Sequence, residues 1–166
     1  MSLPTPITIS EEAALIQTAM KDFVHNFGGT AEVVSNLRDL WSQSSINSGS
    51  PRILICYMGE VARGSFSQIS PWHRVDRNWT VAVTKGRGFY AARGDGLYNK
   101  DSTETPLYDV IEMVRDIIRG MQNISEETPG PDYRSIKPMQ FGNLVIDGFE
   151  ILFTTGNDVP SNLNQA

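Results

Sequence analysis

Apolar residues recur at helical spacing near the start of the chain. Thr8 and Glu11 have the spacing of a capping box, in which each side chain satisfies a backbone amide left unbonded in the first turn. Gly28-Gly29 ends the apolar repeat. The pattern therefore predicts a helix whose buried face carries Leu15, Ile16, Ala19, Met20, Phe23, Val24 and Phe27. A second, shorter helix is predicted over Thr30–Trp41, with Val33, Val34, Leu37, Leu40 and Trp41 on one face.

Two strands are predicted in the middle of the chain. Arg52–Met58 is a short apolar run closed by Gly59, as expected of a central strand. His73–Lys85 alternates, with Val75, Arg77, Trp79, Val81 and Val83 on one face. Because the first half of this second strand is highly charged, we expect that half to project beyond the core.

A long segment and a strongly amphipathic helix follow. Gly86–Thr105 contains four glycines and no apolar period, which predicts a long mobile loop. Thr105-Pro106 then opens a helix with the apolar stripe Leu107, Val110, Ile111, Val114, Ile117, Ile118 and Met121. We expect this stripe to pack against the strand faces that carry Leu54, Val81 and Leu152.

The chain closes with a predicted hairpin. Two strands, about Ser135–Ile146 and Phe149–Thr155, flank Asp147-Gly148, a dipeptide suited to a type I′ turn. The fold expected is α+β, a mainly antiparallel sheet with helices packed on one face. One domain spans 1–166, with a core at 9–155 and loose arms at 1–8 and 156–166.

Composition and charge restrict the function. The amino terminus lacks the basic and apolar regions of a secretory signal, and no apolar run approaches bilayer length, so a cytosolic protein without membrane contact is expected. The net charge of −5 is unevenly distributed: residues 1–51 carry −3, residues 52–100 carry +5 and residues 101–166 carry −7. Such segregation lets copies of the chain meet positive edge to negative edge, although ordinary surface charge explains it equally well.

No catalytic or metal-binding arrangement is apparent in the sequence. Cys56 lies inside an apolar run, as a buried structural thiol does, and only His25 and His73 could serve as a base. Gly86-Arg87-Gly88 and Gly94-Asp95-Gly96 match neither phosphate-binding glycine pattern. The sequence thus predicts no enzyme, no cofactor and no metal site.

Aromatic and basic residues are mixed along the second predicted strand and the long loop. Trp72, Trp79, Phe89 and Tyr90 lie close in sequence to several arginines, a mixture found in single-stranded nucleic-acid grooves and also in protein interfaces. The acidic balance of the whole chain favours the interface. The candidate assembly interface is Trp72, His73, Arg74, Arg77, Arg87, Arg93 and Lys100.

The order of elements resembles the tail-terminator (tail-completion) family of long-tailed bacteriophages. The resemblance covers roughly residues 9–155. It rests on the order of five elements: the amino-terminal helix, the run Pro51–Gly59, the charged strand Arg77–Val83, the helix from Pro106 and the closing run Phe149–Thr155. It implies a homo-oligomeric ring, usually a hexamer, that caps the tail-tube protein and joins it to the head–tail connector (neck) protein. DNA would only pass through the lumen, and the chain would reside in the virion after assembly in the host cytoplasm.

The resemblance leaves other functions open. A neck, head-completion or minor tail protein would share the same modules. A small nucleic-acid-binding module that uses the Trp/Arg strand is the alternative from a different class.

Overall fold

A computed structural model describes residues 7–37, 52–63, 72–84, 89–90, 105–121, 131–141 and 144–160. The first helix, α1, spans Ile9–His25. Its capping box is present: the Thr8 amide donates to Glu11 Oε2 at 2.7 Å, and the Glu11 amide donates to Thr8 Oγ1 at 3.1 Å. Gly28 follows the helix with a φ of 68°, the left-handed region that favours glycine. The predicted first helix and its signals are confirmed.

The predicted second helix is wrong over the described residues. Thr30–Val34 is a strand, β1, which pairs in parallel with the first five residues of β2, Arg52–Ala62. Ala31 is buried in the core with α1, whereas Val33, two residues later on the same face, is 44% exposed. The β-branched pair Val33-Val34 suits a strand, and pairing with β2 outweighs a weak helical pattern. The rest of the predicted helix, residues 38–41, lies outside the described residues.

Five strands form the main sheet. β3 spans Trp72–Thr84, β6 spans Asp132–Phe141 and β7 spans Leu144–Pro160. The strand order is β1-β2-β3-β7-β6, and every neighbouring pair except β1–β2 is antiparallel. With two helices, the fold is the α+β fold that the sequence predicts.

The second helix, α2, spans Leu107–Gly120, and both helices pack on one face of the sheet. The predicted residues Val110, Ile111, Val114 and Ile118 are all buried there, together with Val81. Leu54 and Leu152 are not in this core, as each lies between residues that point toward the helices. Leu54 packs on the opposite face with Ala82 and Met139. No helix of the described residues is long and apolar enough to cross a membrane.

The predicted Asp147-Gly148 turn is wrong. Phe141 pairs with Leu144, so the chain reverses between these two residues, and Asp147-Gly148 lies within β7. Gly148 instead permits a close approach of strands, because a Cβ there would lie 2.5 Å from the Val83 carbonyl oxygen and 2.8 Å from Met139 Sδ.

Three boundaries also differ from the predictions. β2 continues past Gly59, which has a φ of 102° beside a register shift between Tyr57 and Glu60, the geometry of a bulge. β7 continues to Pro160, so residues 156–160 belong to the sheet and not to a loose arm. Phe89–Tyr90 (β4) pairs with Thr105–Pro106 (β5), so the predicted loop contains a strand pair. Residues 91–104, 1–6 and 161–166 lie outside the described residues.

Candidate assembly surface

The three central strands extend beyond the edge strands at one end of the sheet. β1 ends at Val34, the partner of Cys56, and β6 begins at Asp132, the partner of Thr154. In the described part of the chain, β2 after Cys56 and β7 after Thr154 therefore pair only with β3. We call this end the distal extension; it comprises Tyr57–Ala62 with the adjoining Arg63, Trp72–Trp79 and Thr155–Pro160.

Four residues of the predicted interface lie in the distal extension. Trp72, His73, Arg74 and Arg77 belong to the first half of β3. His73 and Arg74 are half-buried, whereas Arg77 is only 4% exposed. The expected projection beyond the core is thus wrong for Arg77 and for Val75, which is also buried. The remaining predicted residues, Arg87, Arg93 and Lys100, lie outside the described residues.

Arg77 is buried because α1 supplies a carboxylate to it. Arg77 Nη1 lies 2.9 Å from Glu12 Oε2 and donates a second bond, also 2.9 Å, to the Ile7 carbonyl oxygen. Its Nε lies 3.4 Å from Glu60 Oε2. One guanidinium therefore ties the start of α1 to β2 and β3.

The Glu12 carboxylate is fully buried and surrounded by donors. Besides Arg77, it accepts hydrogen bonds from Trp79 Nε1 at 2.8 Å, from Asn157 Nδ2 at 3.2 Å and from Thr155 Oγ1. Glu12, Arg77, Trp79, Thr155 and Asn157 form the Glu12 network. A buried ion pair is tolerated when further hydrogen bonds satisfy it, and losing one partner leaves an uncompensated charge. The network fixes the helix layer to the distal extension.

The opposite, open face of the distal extension carries a row of alternating charges. Arg63 Nε lies 2.6 Å from Asp76 Oδ2, and Arg74 Nη1 lies 3.3 Å from Asp158 Oδ1. Arg63, Asp76, Arg74 and Asp158 are the charged row, which crosses from the β2 side to the β7 side. The hydrogen bond from Arg63 to the Asp76 carboxylate raises the pKa of the Arg63 guanidinium. The Coulombic attraction of the same carboxylate adds to this effect. The outer members of the row, Arg63 and Asp158, are its most exposed groups, with side chains 56% and 36% exposed.

Glycine shapes the surface of this row. Gly156 is the partner of Asp76 on β7, and a Cβ there would lie 2.7 Å from Arg74 Nη2. The missing side chain lets the Arg74 guanidinium lie across β7 toward Asp158. The charged row therefore depends on the absence of a side chain at Gly156 as well as on its charged groups.

A groove of about 420 Å³ adjoins the distal extension on the open face. Cys56 and Thr80 contribute to it from the centre of the sheet, and Met58 and Leu152 are among its apolar lining residues. Burial raises the pKa of the Cys56 thiol, which favours the neutral, unreactive form and agrees with the predicted structural role. The described residues contain no group of three His, Cys, Asp or Glu side chains able to hold a metal ion.

Exposed apolar side chains mark the β2 edge of the distal extension. Met58 is 57% exposed and Val61 is 61% exposed, the two largest values among the exposed large hydrophobic residues described. Both flank the bulge at Gly59. This edge therefore combines backbone without an outer strand partner among the described residues, apolar side chains and the neighbouring Arg63, which are features of a contact surface.

Most of these residues are not among those predicted from the sequence, although some of them have a recognisable sequence signal. Glu12 precedes Ile16 and Met20 at intervals of four, so it falls on the buried stripe of α1. Thr155 and Asn157 continue the alternation that begins with Ile151 and Phe153. Nothing in the sequence pairs Arg63 with Asp76 or Arg74 with Asp158, because these contacts depend on strand register.

The chain matches no known protein-family model, and no curated protein is significantly similar to it.

Proposed function

We propose that this chain is the tail terminator of a long-tailed bacteriophage. Copies form a ring that seats on the last ring of tail-tube protein, stops its growth and presents a surface to the head–tail connector. Support comes from the order of α1, β2, β3, α2 and the β6–β7 pair, which is the order that carries the resemblance. β1 and the β4–β5 pair are additions to that order.

One observation supports the proposal most directly, the distal extension, whose two edges have no outer strand partner among the described residues. A closed ring needs a head-to-tail interface, in which each copy offers two different surfaces to its neighbours. The extension provides such a pair, with Arg63 at the β2 side and Asp158 at the β7 side. The helix layer lies on the other face, so it does not obstruct these edges.

Two residues that a nucleic-acid-binding module would use are not available to contact bases. Trp79 is 1% exposed and donates to Glu12, so it cannot serve as a stacking platform for bases. Arg77 is equally committed to the Glu12 carboxylate. The residues of β3 therefore favour protein assembly over base contact.

Deleting the coding sequence from the phage that encodes the chain tests the proposal. Electron microscopy of the lysate should show filled heads without tails and tails of irregular, excessive length. Purified protein added to the lysate should restore joining. A neck or head-completion protein would instead leave tails of normal length, and normal joined particles would contradict any role in joining.

A further inference from the structure

We propose that neighbouring copies of this chain join through the distal extension, with the Asp158 edge of β7 in one copy against the Arg63 edge of β2 in the next. The proposal deepens the proposed function, on which it rests, by naming the residues of the contact between ring subunits.

Strand register places the two edges at the same height in the sheet. Ala62 pairs with Val75, which pairs with Asn157, and the Arg63 amide donates to the Arg74 carbonyl oxygen at 2.8 Å. Since Arg74 pairs with Asp158, Arg63 and Asp158 stand at one level, on either side of β3. A copy placed beside the first without a shift along the strands brings these two residues together.

Both side chains also lie on the same face. Arg63 bonds Asp76 and Asp158 bonds Arg74, and all four groups belong to the charged row on the open face. A lateral contact therefore brings Arg63 and Asp158 together without placing the helix layer of either copy between them.

The sign of charge differs between the two ends of the row. The row begins at the β2 edge with Arg63, whose side chain is 56% exposed, and ends at the β7 edge with Asp158, which is 36% exposed. Head-to-tail addition continues the alternation of positive and negative groups from one copy into the next. A two-fold contact would instead place Arg63 against Arg63 or Asp158 against Asp158, which costs interaction energy.

The backbone of both edges supports the same arrangement. β2 and β7 run in the same direction, because each is antiparallel to β3. Over the described residues, Tyr57–Ala62 and Thr155–Pro160 each have a strand partner on one side only. β1 and β6 flank β2 and β7 directly below these segments, so neighbouring copies meet at the outer ends of the segments, where Arg63 and Asp158 lie. The exposed Val61 would be covered by the joint.

The β6 edge of the sheet is less suited to strand addition. β6 carries Pro138, which has no amide proton to donate, and the exposed Lys137, both of which discourage pairing. β6 also has two register shifts along its length. The distal extension is therefore a better route than β6 for one copy to meet the next.

Disulfide cross-linking distinguishes this contact from other contacts. In a Cys56→Ala background, Arg63→Cys and Asp158→Cys are combined in one chain, which is oxidised as concentrated protein and within isolated particles. The two positions are two strands apart, about 10 Å, which exceeds the roughly 7 Å limit for Cα atoms of a disulfide. Cross-links therefore report only contacts between copies.

A ladder of covalent oligomers that ends at the ring size and collapses with reductant is expected from the double-cysteine chain. Each single-cysteine chain should remain monomeric, and a mixture of the two should stop at dimers. A control chain with Asp22→Cys and Met113→Cys, both exposed on the helix layer, should give no ladder.

A second variant keeps the test decisive if cysteine disturbs the strands. Asp158→Asn keeps the size of the side chain and an oxygen that can accept from Arg74, but removes the negative charge from the joining edge. It should weaken association roughly tenfold, while Asp22→Asn, on the exposed side of α1, should leave association unchanged.

The cross-linking and deletion experiments test the contact between copies separately from the proposed function. If the chain is required for joining heads to tails but gives no ladder in its own particles, the contact is wrong and the function stands. If a ladder forms but the chain is dispensable for joining, the contact stands and the function is wrong. Dimers from either single-cysteine chain would overturn the head-to-tail arrangement.

Discussion

The Arg77 guanidinium lies 2.9 Å from the Glu12 carboxylate, and both side chains are buried, at 5% and 0% exposure. Glu12→Ala should destabilise the fold by about 3–5 kcal/mol, because it leaves Arg77 charged and without its main partner. Glu12→Ala combined with Arg77→Met should lose less than the two single changes together, as the double variant buries no charge. Urea unfolding of the four proteins measures this coupling.

Asp22→Ala, an exposed position on the same helix, is the matched control for Glu12→Ala and should change stability by no more than about 0.5 kcal/mol. Additive losses in the double variant would show that the two side chains do not form a coupled pair.

The stripe on α2 allows a similar test with neighbouring residues. Val114 is fully buried, whereas Met113 is 45% exposed. Val114→Asp buries an unpaired carboxylate at a cost of several kcal/mol, comparable with the whole stability of a domain, about 5–15 kcal/mol. Met113→Asp should fold normally. Circular dichroism with thermal unfolding checks both, and a cooperatively folded Val114→Asp protein would contradict the described core.

A substitution at Gly148 distinguishes a close approach of two strands from a turn at this position. Gly148→Asn would be tolerated at a type I′ turn, but the observed contacts with Val83 and Met139 predict a loss of about 1–3 kcal/mol from overpacking. Gly120→Ala, in the last turn of α2 with nothing within 4 Å of the new Cβ, should be neutral or stabilising by up to about 1 kcal/mol. Equal effects at the two glycines would reject the close approach.

The capping box of α1 predicts a pH dependence. Its hydrogen bonds with Thr8 lower the pKa of Glu11 from the usual 4.5. A carboxyl whose pKa is lowered by folding stabilises the fold at pH values above 4.5, and this contribution is lost as the pH falls through the lowered pKa. The free energy of unfolding should therefore differ between the native chain and Glu11→Gln at pH 7, and the difference should shrink in acid. A difference independent of pH would contradict the cap.

Local sequence patterns were sufficient to predict an element when its own residues determine its structure. The α1 signals and the α2 stripe predicted the two helices, and the alternation from Trp79 to Val83 predicted the buried face in the second half of β3. Fold class followed from these elements, because amphipathic helices must cover a sheet.

The sequence-based predictions were wrong where pairing between distant segments determines the local structure. Thr30–Val34 is a strand because it pairs with β2, and Asp147-Gly148 is not a turn because Gly148 pairs with Thr84 of β3. Arg77 appeared to be a surface residue, since nothing next to it in sequence shows that Glu12, 65 residues away, supplies its partner. The site depends on register, which the sequence alone does not specify.

A cryo-electron microscopy reconstruction of the head–tail junction would show directly whether this chain forms the ring. We expect a single closed ring of this chain, six copies in the family it resembles, between the last tube ring and the connector, with Arg63 of each copy beside Asp158 of the next. One copy per particle, a two-fold dimer, or a junction that lacks the chain would contradict it.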